Sequence, residues 1–350
     1  METRLFRTDK PDGSIDNEVF MQCADIIKNG GLVAFPTETV YGLGGNAFDA
    51  EVSKKIYAAK GRPSDNPLIV HIAKIEDLYK VAAYVPENAV KLAEKFWPGP
   101  LTMILKKNSI VPDETTGGLD TVAVRMPSHP GALRFIEAAG VPIAAPSANA
   151  SGRPSPTLAE HVMQDLEGRI EAVIDGGAVD IGLESTIVDV SAEVPVLLRP
   201  GFITTEMLSE ILGKVDRDPT LDKGVSDGMK PKAPGMMYRH YAPKGDMMIV
   251  SGITQKVISK INELVKNYNP EDTAVITTEE NKDLYDGCRV FCMGRRNDEE
   301  SVAKQLYHVL RKMDDNNIRH IFVESFEDGE LSDAIMNRLI KAAGYKVTRT

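Results

Sequence analysis

The sequence predicts an α/β protein of two domains: a mixed, twisted sheet with a cleft, joined by a long linker to a small parallel-sheet, Rossmann-like domain. Three observations predict it. At 350 residues the chain is too long for one ordinary core. Short apolar runs alternate with stretches of helical periodicity on both sides of residue 206. Between them, residues 206–245 are rich in Pro, Gly and charge and carry no sustained period. The boundaries that follow are 1–205 for the larger domain, 206–245 for a linker or lid and 246–350 for the smaller domain.

In the first block, Val19, Cys23, Ile26 and Ile27 fall on one helical face, and Asn29-Gly30-Gly31 stops that helix. GLVAFP, residues 31–36, follows as a short apolar strand. Further strands are expected around 68–72, 101–105, 121–125, 143–145, 172–174, 185–190 and 196–199, with helices around 50–59, 86–96, 130–139 and 157–166. Gly42-Leu43-Gly44-Gly45-Asn46-Ala47 fits the loose dinucleotide pattern. Thr37 to Tyr41 separate it from the strand it would have to follow, so it is read as a turn. A helix around 205–212 opens the linker, which also holds Tyr238-Arg239-His240-Tyr241, a cluster a plain spacer does not need. The last block alternates strand and helix: MMIV, a helix over 254–267, TAVIT, CRVFC, a helix over 299–313, IRHIFVE and a helix over 331–343 ended by Gly344. That alternation implies a parallel sheet with helices on its faces.

Composition excludes several classes. No apolar run is long enough to cross a bilayer, and METRLFRTDKPDG lacks the apolar core of a secretory signal, so a cytoplasmic location and no membrane partner are expected. Three cysteines, Cys23, Cys288 and Cys292, do not make a disulfide framework. Cys288 and Cys292 lie in a strand-like run and read as buried structural thiols. The net charge of −10 gives no bulk attraction to nucleic acid. The chain has no P-loop, no G-x-S-x-G elbow and no H-E-x-x-H, and no metal site is expected.

The chemistry-bearing residues gather at predicted strand ends. PTETVYGLG sets Thr37, Glu38, Thr39 and Tyr41 on a short loop able to line a small-molecule pocket. KGRPSDNPLIVH stiffens a loop with Pro63 and Pro67, offers Lys60 and Arg62 to an anion, and then enters a strand that delivers His71. On TVAVR, Thr121 and Arg125 share a face, and an inward arginine needs an anion partner, structural or substrate. Ala145-Pro146-Ser147-Ala148-Asn149 leaves a strand into a loop that continues to Ser155. Ser185 opens one strand and Arg199 closes another. Together these cations, hydroxyls and amides suit an anionic nucleotide and a small polar substrate in one cleft.

PTETVYGLG, the K-x-R of Lys60 and Arg62, the S-x-N of Ser147 and Asn149, and STIVD together resemble the YrdC-like domain. With PGMMYRHYAP and the smaller α/β block, the whole chain resembles the two-domain threonylcarbamoyl-AMP synthases. The resemblance implies that L-threonine, bicarbonate or carbon dioxide, and ATP become L-threonylcarbamoyladenylate and pyrophosphate. That product feeds N6-threonylcarbamoyladenosine formation in tRNA through a separate threonylcarbamoyl transferase complex. It implies Lys60, Arg62, Ser147 and Asn149 as the catalytic set. It implies Thr39, His71, Arg125, Ala145 (through its backbone) and Ser185 for threonine. Arg62, Asn66, Thr121, Ser147, Ser155, Arg199 and Tyr241 would contact ATP, and Mg2+ would accompany ATP with no tightly bound cofactor. The rival reading is an RNA-binding module, with Lys60, Arg62, Arg125 and Arg199 lining a groove. The acidic balance and the scarcity of aromatics in these loops count against it.

Overall fold

The computed structural model of the chain describes residues 1–8, 16–223, 233–234, 240–327 and 329–350. They divide into two compact units. The first comprises Met1–Ser151, Ser155–Asp180 and Glu184–Met237, and the second Gly152–Pro154, Ile181–Leu183 and Tyr238–Thr350.

The first unit contains strands β1 (Arg4–Arg7), β2 (Val33–Phe35), β3 (Gly42–Asn46), β4 (Ile69–His71), β5 (Leu101–Lys106), β6 (Thr121–Arg125), β7 (Ile143–Ala145), β8 (Ala172–Asp175), β9 (Thr186–Asp189), β10 (Val196–Arg199) and β11 (Asp216–Arg217). Its helices are α1 (Asn17–Lys28), α2 (Ala50–Lys60), α3 (Leu78–Val81), α4 (Glu87–Phe96), α5 (Asp113–Thr116), α6 (Pro130–Ala139), α7 (Ala159–Leu166), α8 (Thr205–Leu212) and α9 (Thr220–Lys223). The strands form one sheet in the order β1-β8-β2-β3-β7-β4-β6-β5-β9-β10-β11. Parallel pairs such as β4–β6 and β5–β9 mix with antiparallel pairs such as β4–β7 and β5–β6.

Alternation along the strands sorts the core into two faces. Val70, Met103, Leu105, Val122, Val124 and Val188 point to one face, where residues of α2, α4, α7 and α8 join them. On the other face Val33, Phe35, Ile143 and Ala145 pack under α1 and α6. Farther along that second face Ile69, Ile104, Ala123, Ile187 and Leu198 form a separate apolar floor, with Ala233 buried on it. Among the described residues no helix contributes to that floor. Helix ends follow local chemistry. The Asp49 side chain accepts from the backbone N–H groups of Glu51 and Val52 at the start of α2, and left-handed Gly61 ends it.

The second unit is a five-stranded sheet, wholly parallel, of β12 (Asp246–Ser251), β13 (Thr273–Thr277), β14 (Arg289–Cys292), β15 (His320–Glu324) and β16 (Val347–Arg349), in the order β14-β13-β15-β12-β16. Helices α10 (Thr254–Val265), α11 (Glu299–Asp315) and α12 (Ser332–Ala342) complete the alternation expected from the sequence. The fourth strand sits between the first and the second, whereas the usual dinucleotide-binding order keeps the first two adjacent.

Two expectations are corrected. Residues 42–46 are a buried strand, not a turn. Its glycines leave room for neighbours: a Cβ on Gly44 would lie 2.7 Å from Ile143 Cγ2, and one on Gly45 would lie 2.3 Å from Val52 Cγ1. Cys288 and Cys292 are half-buried, because β14 is an edge strand, while Cys23 is buried. The helix expected at the head of the linker is α8, which packs against α4, and β11 follows it and pairs with β10. Tyr238 and Arg239 lie outside the described residues, as do 224–232 and 235–237. No helix of the described residues is long and apolar enough to cross a membrane.

Gly45→Ala should destabilise the protein by about 1–3 kcal/mol, because Val52 is fully enclosed and cannot withdraw freely. Scanning calorimetry should show a lower melting temperature; an unchanged one would contradict the packing described.

Candidate active site

The helix-free half of the sheet face receives polar side chains from both ends of its strands. His71 closes β4 and Arg125 closes β6, and their parallel register sets them side by side. Thr102 of the antiparallel β5 lies opposite Arg125. Thr121 starts β6 on the same face and is half-buried.

Arg125 is 3% exposed, so its charge must be met by protein or ligand. Its Nη1 donates to Thr39 Oγ1 at 2.8 Å, its Nη2 lies 2.6 Å from Glu38 Oε1, and its Nε reaches the Gly99 carbonyl at 3.4 Å. The loop bearing Glu38 and Thr39 is held by Thr37. Its Oγ1 donates to the Val40 carbonyl at 2.6 Å and accepts from the N–H groups of Thr39 and Val40. The His71 ring is buried, with Nδ1 3.0 Å from the Ile69 carbonyl and its edge against Phe35. Burial first, and then the Arg125 charge, push its pKa down to about 3, so the ring is neutral at physiological pH.

A second cluster joins Ser185 and Arg199. Ser185 Oγ lies 2.7 Å from Thr102 Oγ1 and accepts from Arg199 Nη2 at 3.1 Å. Arg199 Nε donates to the Ser185 carbonyl at 3.0 Å, and Nη1 reaches the Pro234 carbonyl at 3.4 Å. Ser155 donates to Oε1 of Glu184, the residue directly before Ser185, at 2.5 Å.

The third cluster begins at Lys60, the last residue of α2 and 3% exposed. Its Nζ donates to the carbonyls of Ser147 and Asn149, the latter at 2.6 Å, and to Asn149 Oδ1 at 3.3 Å. Ser147 Oγ donates to Asn149 Oδ1 at 2.5 Å, and the Ala150 N–H donates to Asp165. The buried ammonium thus ties the loop after β7 to the end of α2. Arg62 Nε and Nη2 donate to the carbonyls of Asn66 and Pro67 at 3.3 and 3.1 Å. Asn66 is 1% exposed, yet neither atom of its side-chain amide has a partner among the described residues. Ala145 ends β7 opposite Ile69.

The structure therefore gathers Thr39, His71 and Arg125 in one cluster, Ser185 and Arg199 in a second, Lys60, Ser147 and Asn149 in a third, and Arg62 with Asn66 in a fourth. Tyr241 belongs to the second unit, where it is buried and its ring centroid is 5.2 Å from that of Tyr307. Sequence reading missed the pairing of Glu38 with Arg125, although Glu38 stood in the loop it singled out. It also missed Thr102, the one hydroxyl in LTMIL, and Glu184, directly before Ser185. His129 escaped notice as well. Its Nδ1 accepts from the N–H groups of Gly131 and Ala132 at the start of α6, and burial lowers its pKa against the opposing pull of Glu38 and Asp180.

The chain matches two family models. One, described as telomere recombination, covers residues 25–201, and the other, the C-terminal domain of threonylcarbamoyl-AMP synthase, covers residues 203–344. Threonylcarbamoyl-AMP synthase of Pyrococcus abyssi is 49% identical over 93% of this chain and 94% of its own length. The Bacillus subtilis protein of the same name is 48% identical across the whole of both chains. The crystal structure of P. abyssi Sua5 complexed with L-threonine matches with a TM-score of 0.93 and 45% identity, over 99% of this chain and 100% of that one. Escherichia coli YciO, at 24% identity and a TM-score of 0.51 over 57% of this chain, shares the fold.

His71 should not titrate between pH 8 and pH 5 when its ring resonances are followed by NMR. Its pKa is about 3 in the folded chain against 6.5 for an unperturbed ring, so the unfolded state binds the proton first. The stability supplied by the neutral ring is complete above about pH 6.5 and is lost as pH falls toward 3. A folded His71→Gln variant should show a flatter loss of stability across that window; an unchanged acid limb would contradict the assignment.

Proposed function

This chain belongs to the two-domain threonylcarbamoyl-AMP synthase family, and we infer from that premise how its first unit carries out the reaction. L-threonine, bicarbonate or carbon dioxide, and ATP are joined into L-threonylcarbamoyladenylate, with release of pyrophosphate, for tRNA modification. The chemistry is a nucleotidyl transfer. Threonine's amine becomes a carbamate, a carbamate oxygen attacks the α-phosphorus of ATP, and pyrophosphate departs. No enzyme nucleophile is required, so the demands are positioning and stabilisation of the spreading phosphate charge.

The observation that carries this reading is the buried Arg125 beside Thr39 and His71, with Arg199, Lys60 and Arg62 in the three other polar clusters of the same unit. Arg125 presents a planar fork to the threonine carboxylate, a geometry lysine cannot copy. Thr39, neutral His71, the Ala145 backbone and Ser185 complete the amino-acid side. Lys60, Arg62, Ser147 and Asn149 serve the phosphates. Lys60 does so by fixing the Ser147–Asn149 loop as well as by its charge, and Arg62 by a guanidinium already held by two carbonyls. The unpartnered amide of Asn66 is suited to ATP, and Thr121, Ser155 and Arg199 are the other ATP residues of this unit on this reading.

Magnesium would arrive with ATP and neutralise its phosphates. Among the described residues no group of three or more His, Cys, Asp or Glu could hold a metal ion by itself. We place the protein in the cytoplasm, with transfer to RNA left to a separate transferase complex. The rival RNA-binding groove is disfavoured because Lys60, Arg125 and Arg199, three of the four cations it needs, are at most 4% exposed and bonded to protein atoms.

Purified protein should release pyrophosphate from ATP only with threonine and bicarbonate both present; release indifferent to threonine would refute the reading. Arg62→Ala should lower that turnover by about 10²-fold while leaving the melting temperature nearly unchanged. A fully active variant would remove Arg62 from the site.

A further inference from the structure

Glu38 is 4% exposed and faces the site, yet no N–H or O–H group among the described residues is directed at either of its carboxylate oxygens. Arg125 Nη2 lies 2.6 Å from Oε1 but off the line of a hydrogen bond. The Arg125 charge thus compensates the buried carboxylate while its hydrogen-bonding capacity stays unfilled, which a ligand donor would complete. Its two neighbours within the amino-acid cluster cannot take a proton from substrate. Arg125 is permanently charged, and burial and the Arg125 charge make His71 a poor base despite the carbonyls of Ile69 and Ile143 beside it. His129, at the start of α6, lies within reach of the charges of Glu38 and of Asp180. His129 Nδ1 is already taken by two backbone N–H groups.

We propose that Glu38 binds the α-amino group of the amino-acid substrate and accepts the proton that group must lose to become a carbamate. The inference rests on the reading of Arg125 as the carboxylate site. The Glu38–Arg125 pair is complementary to a zwitterion: as Arg125 turns to the carboxylate, Glu38 meets the adjacent ammonium, and each buried charge exchanges one partner for another. One N–H proton passes from the ammonium to a Glu38 oxygen. The freed nitrogen lone pair forms the N–C bond to carbon dioxide, one C=O electron pair moves onto oxygen, and the second N–H proton leaves to solvent. Glu38 then returns its proton to solvent, leaving the carbamate free to attack ATP.

The test compares wild type with Glu38→Gln, using threonine and 2,3-dihydroxybutanoate, in which a hydroxyl replaces the amine. By calorimetry, wild type should prefer threonine by about tenfold or more, and Glu38→Gln should bind the two within about threefold. Glu38→Gln should also lose about 10²-fold or more in pyrophosphate release at neutral pH, with the deficit shrinking as rising pH deprotonates the amine unaided. Preference for threonine retained in the variant, or a deficit constant with pH, overturns the proposal. If Glu38→Gln is not recovered folded, Glu38→Asp keeps a carboxylate for Arg125 and should retain part of the preference; an undiminished preference overturns the proposal. The binding arm does not depend on turnover. Wild type that binds threonine through its amine but releases no pyrophosphate refutes the functional reading and not the role of Glu38 in binding.

Discussion

A guanidinium with almost no access to water governs the architecture of the site. Arg125 closes a central strand and points onto a face that its neighbours line with Ile69, Ala123 and Ile104. A cation there is stable only if its surroundings are arranged around it. The Thr37 turn is folded so that Thr39 Oγ1 accepts from Nη1 and Glu38 lies beside Nη2. The same charge, with burial, keeps His71 neutral. One arginine therefore binds the loop of Glu38 and Thr39, adds its charge to the burial that keeps His71 neutral, and brings a cation to the edge of an apolar floor.

The phosphate side is built on the same constraint in another form. Lys60 and Arg62 direct donors at backbone carbonyls, and in doing so lock the loops that carry Ser147, Asn149 and Asn66. A P-loop cradles phosphates with the backbone of one glycine-rich turn at a helix N-terminus. Here the cations stand at and just beyond a helix C-terminus, after α2, and the loop they hold comes from the far side of β7. Preorganisation is the common element, since groups already held in place need little rearrangement as charge develops.

The legibility of the sequence follows the range of the interactions that matter. Strands β6, β7 and β10 and helices α6 and α8 match their expected spans, because alternation and helical period are local signals. β3 was misread because its glycines reflect the closeness of Phe35, Ile143 and Val52, which come from three other elements. The site residues were legible as a set of polar residues at strand ends, and their partners were not. That Ser185 bonds Arg199, or that Lys60 serves the Ser147 and Asn149 carbonyls 87 and 89 residues away, depends on sheet order. Glu38 illustrates the limit: its loop was recognised, while its pairing required β6 to be known as the strand in front of it.

The second unit supplies an informative contrast. Glu324 is as deeply buried as Glu38, at the end of β15, but it accepts from Thr277 Oγ1 and Tyr285 OH at 2.5 Å, from Asn281 Nδ2 at 3.0 and 3.2 Å, and from Arg296. Its acceptor capacity is filled by residues from around the parallel sheet, so the network pins strand and loop ends together and leaves nothing for a ligand to complete. Glu38 and Asn66 are buried to the same degree with their bonding capacity open. Burial alone does not separate a structural polar group from one awaiting substrate. Neither does a single unmet atom, since Thr273 Oγ1 of the second unit is buried without a hydrogen-bond partner. Among the described residues only Glu38 and Asn66 have both side-chain end atoms unmet. By that criterion the reactive face belongs to the first unit, and the Glu324 network contributes to the stability of the second.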